Sequence, residues 1–153
     1  RGRTLAGTEA RQEAVAELAR VKARKLPQAQ DWNGAVGPKQ LAWFEGVAAD
    51  AARRGLKVVV FAHHPVAPVG SYDAWDATEI LAALGRHRNV VAWFNGHNHA
   101  GGFAQVEGLP CVTFHGMVET PDRNAFATAR FLTDRVILAG HGREPSRELV
   151  FRV

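Results

Sequence analysis

The chain has 153 residues, 46% of them hydrophobic, enough for one packed domain. Its formal net charge is +4; the cations are scattered among acids, so no basic, aromatic-interleaved stripe marks a nucleic-acid binder, whereas a mild positive field suits a small anion. The single cysteine, Cys111, excludes an intrachain disulfide and a thiolate zinc knuckle, and no apolar run reaches the ~20 residues of a membrane span.

The chain opens Arg1-Gly2-Arg3, without methionine or a signal-peptide core. It is read as part of a longer protein, with the cytoplasm as the expected location. Ala14, Leu18 and Val21, flanked by Val15 and Ala19, give an apolar stripe that predicts a helix over 8–26, ended by Pro27. Residues 28–37 read as a loop with Asn33-Gly34 as a turn signal. Pro38 suits a first helical position; Leu41, Phe44, Val47, Ala48 and Ala51 then recur at helical spacing, and Gly55 closes the helix.

Lys57 to Ala62 is a short β-branched run, hence a buried strand, followed by loop from Pro65 to Asp73. Asp76-Ala77-Thr78-Glu79 has the form of a capping box, with Ile80, Leu81 and Leu84 as the buried face behind it and Gly85 as the stop. Val90 to Phe94 is the next strand. A helix crossing between two apolar strands predicts that they pair in parallel. After Gly101-Gly102 the grammar changes. Five short segments (103–106, 109–114, 126–132, 136–139 and 148–153) predict an antiparallel meander.

Two of these strands end in histidine: Ala62-His63-His64-Pro65 and Gly96-His97-Asn98-His99. Ligands of open α/β sheets gather at such strand ends, and neutral imidazole suits manganese, iron or zinc. On an extended chain neighbouring residues point opposite ways, so one of His63 and His64 is expected to face the cation and the other to face away. His87 reads as a solvated helix end, His141 as a loop residue, and His115 as placed to line a cleft. No Gly-x-Ser-x-Gly, P-loop or dinucleotide fingerprint is present, and Cys111 lies in an apolar strand.

The Ala-His and Gly-His-x-His blocks resemble those of the calcineurin-like metallophosphoesterase superfamily. Further blocks are similar to the manganese-dependent ADP-ribose/CDP-alcohol diphosphatases: Asn33-Gly34-Ala35-Val36-Gly37 with Gln40-Leu41 and Trp43-Phe44; Phe61-Ala62-His63 with Pro65; Val118-Glu119-Thr120-Pro121; and Asn124-Ala125-Phe126. The likeness runs from about residue 30 to the C-terminus. It implies the C-terminal half of an α/β/β/α sandwich, a β-α-β unit followed by the meander. Residues 1–153 then form a single, incomplete domain, with 1–30 a leading helical segment.

By the same resemblance, His63 and His97 hold one divalent metal and His99 a second, His97 and His99 acting in catalysis through the metals. Asn98 and His64 are implied to lie beside the substrate phosphate, and Asn124 and Phe126 near its nucleoside end. Two metals are implied, manganese first, iron or zinc as alternatives. The substrate is a phosphate-ester small molecule; no nucleic-acid or membrane partner is expected. The family also uses Asp-x-His, Gly-Asp and Gly-Asn-His blocks, and none of these precedes His63. The missing half of the domain is therefore the implied partner. Two other readings stay open: a binding module or inactive remnant, and a hydrolase that uses one metal on three histidines.

Overall fold

The computed structural model describes residues 9–152. Three helices and seven strands follow in chain order: α1 (Glu9–Ala23), α2 (Pro38–Arg53), β1 (Val58–Phe61), α3 (Ala77–Arg86), β2 (Val90–Asn95), β3 (Gly102–Val106), β4 (Leu109–Thr113), β5 (Ala125–Phe131), β6 (Arg135–Gly142) and β7 (Arg147–Val150). The predicted first helix is shorter than its pattern; residue 8 lies outside the described residues.

Pro38 does open α2, where its missing N–H leaves no bond unmade. The capping box at 76–79 forms differently from the expectation. Asp76 stands at the N-cap of α3 but makes no side-chain bond to that helix. Its carboxylate instead accepts from the backbone N–H groups of Gly37 (2.7 Å) and Val36 (3.1 Å). It thereby caps the entrance of α2 and ties two loops together. Gly85 does not stop α3, which runs on to Arg86.

The first sheet has the order β1-β2-β4-β3. β1 and β2 are parallel, as the crossover requires. The predicted antiparallel strands form but divide between two sheets: β3 turns back on β4 at the edge of the first, where β4 also runs parallel to β2, and β5-β6-β7 form a separate antiparallel sheet. Burial explains the split. Every residue of β4 is buried, which requires an interior position, whereas β3 alternates between half-buried and exposed, as an edge strand does.

The two faces of the first sheet meet different partners. One packs on α2 and α3 through Ala48, Ile80, Leu84, Val90, Trp93, Leu109 and Cys111. The other packs on the second sheet, with Ala92, Phe94 and Val112 against Val136, Leu138 and Leu149. Three layers result: helices, sheet, sheet. β1 carries an all-apolar sequence, Val58 to Phe61, yet among the described residues it has a neighbour on one side only, and Phe61 is 71% exposed.

Candidate metal centre

The parallel pairing of β1 and β2 brings their C-terminal ends level. Phe61 is in register with Phe94, and the bonding continues past the strands: Ala62 N–H donates to the Phe94 carbonyl (2.9 Å), and Gly96 N–H to that of His63 (3.2 Å). His63 is thereby fastened beside the turn carrying His97. That turn is tight. His97 holds a positive φ of 66°, and Asn98 N–H reaches back to the Gly96 carbonyl at 2.8 Å. A non-glycine residue in this conformation costs of order 1–2 kcal/mol, and such outliers gather at functional sites.

The nitrogen donors of His63, His64 and His97 all lie within 4.8 Å of one another. His97 Nδ1 is 3.1 Å from His63 Nε2, and the His64 and His97 rings meet edge-on with centroids 4.4 Å apart. The expectation that only one of His63 and His64 would face this point is corrected. Alternation holds only along an extended strand, β1 ends at Phe61, and the chain bends at residues 63–64, turning both rings inward. Trp93 Nε1–H holds the His64 carbonyl at 3.3 Å, and Gly34 leaves room for the ring: a Cβ there would sit 3.3 Å from His64 Cε1.

Burial, then the neighbouring imidazoles of His97 and His63, push His64 down to about 4. Burial followed by repulsion from His63 and His99 also lowers His97. Both rings are neutral at pH 7 and offer lone pairs. His64 Nε2 is buried without a hydrogen-bond partner, a costly state for a nitrogen that no cation satisfies. Three convergent imidazoles, one with an orphaned nitrogen, fit a single divalent ion. No carboxylate joins them among the described residues.

The other predicted site residues lie outside this cluster. His99 turns to Glu119, its Nδ1 2.5 Å from Oε1. Asn98 Oδ1 accepts from Ala100 N–H within its own turn. Asn124 forms a loop-to-strand joint, its side chain accepting from Ala125 N–H at 2.7 Å and its carbonyl from Arg143 N–H at 2.9 Å. Phe126 stacks on His141, ring centroids 4.6 Å apart and planes 16° from parallel. His115 is held by Glu144 through both its backbone N–H (2.8 Å) and its Nδ1 (3.0 Å).

Three contributors escape the sequence reading: Asn33, Glu119 and Glu144. Asn33 reads as a turn residue, yet its Oδ1 contacts His97 Nε2 at 2.9 Å. Only the quoted likeness around Asn33-Gly34 and Val118-Glu119 marked the first two. Glu144 lies in a predicted loop with no signal of burial.

No family model matches the chain. Its fold overlays the crystal structure of a dimetal phosphatase from Danio rerio with a TM-score of 0.88 and 27% identity, covering 99% of this chain and 53% of that one. In that fold the histidines of this chain stand at the ends of parallel strands, and the chain is similar to a dimetal phosphatase. By sequence, the chain is similar to proteins named manganese-dependent ADP-ribose/CDP-alcohol diphosphatases. The one from Bos taurus is 36% identical over 141 residues, which is 89% of this chain and 42% of the relative. The one from Homo sapiens is 34% identical over 131 residues, 82% of this chain and 38% of the relative. The chain spans less than half the length of these relatives.

Proposed function

We propose that this chain supplies the C-terminal metal ligands of a dinuclear, manganese-dependent phosphoesterase that cleaves the diphosphate of ADP-ribose or a CDP-alcohol. The observation that carries the reading is the convergence of His63, His64 and His97 at the ends of two parallel strands. The relatives' names supply the substrate class and the metal.

In this reading His63 and His97 hold one ion and His99, steadied by Glu119, faces the second. Divalent ions so placed supply positive charge to a phosphoryl group and lower the pKa of water. Burial lowers His97, which keeps its lone pair available at pH 7. The bend at His63-His64 and the strained turn at His97 fix the donors before any ligand arrives. His64, beside both rings, orients phosphate or completes the nitrogen set. Asn98, Asn124 and Phe126 remain candidates for substrate contact, the last through its exposed face on His141.

Taken by itself, the chain is proposed to be inactive. Two divalent ions ~3.5–4 Å apart repel by roughly 17 kcal/mol at an effective dielectric of about 20. Neutral imidazoles do not offset that; carboxylates do, and none joins the cluster among the described residues. We propose that the rest of the domain brings them, and that it joins at the open β1 edge beside exposed Phe61. A protein extended to the relatives' length, assayed with Mn²⁺ against ADP-ribose, a CDP-alcohol, phosphomonoesters and cyclic nucleotides, tests the reading. Cleavage of the diphosphates is expected. Turnover confined to phosphomonoesters or cyclic nucleotides refutes the substrate class, and no turnover at all refutes the enzyme.

A further inference from the structure

We propose that Asn33 is a positioning residue of the metal centre: it fixes which nitrogen of His97 carries the proton, and so which one is free to hold a cation. This rests on the metal role given to His97 above.

Asn33 is 7% exposed, and its whole amide is engaged. Nδ2 donates to the carbonyls of Gln28 at 2.9 Å and Ser71 at 2.7 Å. Carbonyls only accept, so the NH₂ group must face these two and Oδ1 must face the third partner. That partner is His97 Nε2 at 2.9 Å. An amide oxygen also only accepts, so His97 Nε2 carries the hydrogen. In a neutral imidazole the lone pair then sits on Nδ1, the atom 3.1 Å from His63 Nε2. The proton on Nε2 thus leaves the nitrogen that faces the cluster open.

The clamp is anchored on backbone at two places far apart in the chain. Gln28 precedes α2 and Ser71 follows β1, and each offers backbone, not a mobile side chain. The edge of Tyr72 closes on the His97 ring at 5.8 Å. At His99 the arrangement is reversed. Nδ1 faces the Glu119 carboxylate and carries the hydrogen, leaving Nε2 open. Two histidines two residues apart are thus held in opposite tautomers. Partners of this kind are worth about 10–100-fold in metal affinity.

Long-range ¹H–¹⁵N NMR of the labelled, metal-free chain at neutral pH reads the tautomer directly, and zinc, being diamagnetic, reports the ligating nitrogen. The expected result is hydrogen on Nε2 of His97 and on Nδ1 of His99, with zinc shifting His97 Nδ1. A wild-type chain with hydrogen on His97 Nδ1 overturns the role of Asn33 and leaves the metal reading standing. Hydrogen on Nε2 with His97 resonances that ignore zinc overturns the metal reading and the positioning role with it, leaving only the Asn33 bond. Asn33→Leu is expected to mix the His97 tautomers and weaken zinc 10–100-fold. Undiminished zinc affinity in Asn33→Leu overturns the proposal. Since Asn33 also ties two loops, the wild-type spectrum, which needs no substitution, decides if that variant does not fold.

Discussion

His97 and His99 stand two residues apart in contrasting company. His97 is half-buried, packed against two other imidazoles, with one nitrogen taken by a buried amide. His99 is exposed, and its partner Glu119 is exposed as well. Below them the order reverses. The turn that carries His97 is strained, whereas the loop after His99 is tied by Gly116 N–H on the His99 carbonyl to a segment where Glu144 grips both His115 and Arg147. Under the proposed function, one short motif serves two half-sites: His97 belongs to a histidine cluster gathered within this chain, and His99 to a braced ledge that presents one imidazole to the rest of the domain.

The comparison can be broken at several points. Under the proposed function, His97→Ala removes all measurable turnover from the full-length enzyme, because it deletes a donor that contacts both other rings of the first half-site. Unchanged kcat/KM with added Mn²⁺ would refute a metal role for His97.

Next in size is the brace. Glu144→Ala leaves Arg147 partly buried and unpaired and strips His115 of its anchor. Truncating one partner of such a pair costs about 3 kcal/mol, read as a lower urea midpoint. A change within 0.5 kcal/mol would show that the ledge is not held there.

Asp73 gives a pH test away from both histidines. Burial raises its carboxyl to about 6, opposed by the Gly70 N–H that it accepts at 3.0 Å. A raised acid binds its proton more tightly folded than unfolded. Its stabilising share is therefore full below about pH 4 and lost as pH rises through about 6. Asp73→Asn should stabilise the chain by ~3 kcal/mol at pH 7 and by nothing at pH 3.5. Equal midpoints at both pH values would contradict the burial argument.

Gly101→Ala is the smallest. A methyl group there would lie on the His115 ring, at a positive φ of 69°. The expected loss is about 1–2 kcal/mol by thermal melting; an unchanged midpoint would contradict it.

Periodicity shows the helices and the β1-β2 pair in the sequence, since apolar spacing decides both. The division of the later strands between two sheets does not show, because an antiparallel hairpin reads the same at the edge of one sheet as in another. Strand-end histidines 63 and 97 were visible as a pair. The inward turn of His64 was not, since it depends on where β1 stops. Asn33 was legible only as a turn residue: its amide acquires its role from carbonyls 5 and 38 residues away. Glu144 meets His115 across 29 residues, a separation that no local pattern encodes.

Calorimetric titration of Mn²⁺ into the 153-residue chain, wild type and His97→Ala, tests the central claim most directly. One weak site that disappears in His97→Ala is the predicted result. Two tight sites, or one that survives the substitution, would contradict it.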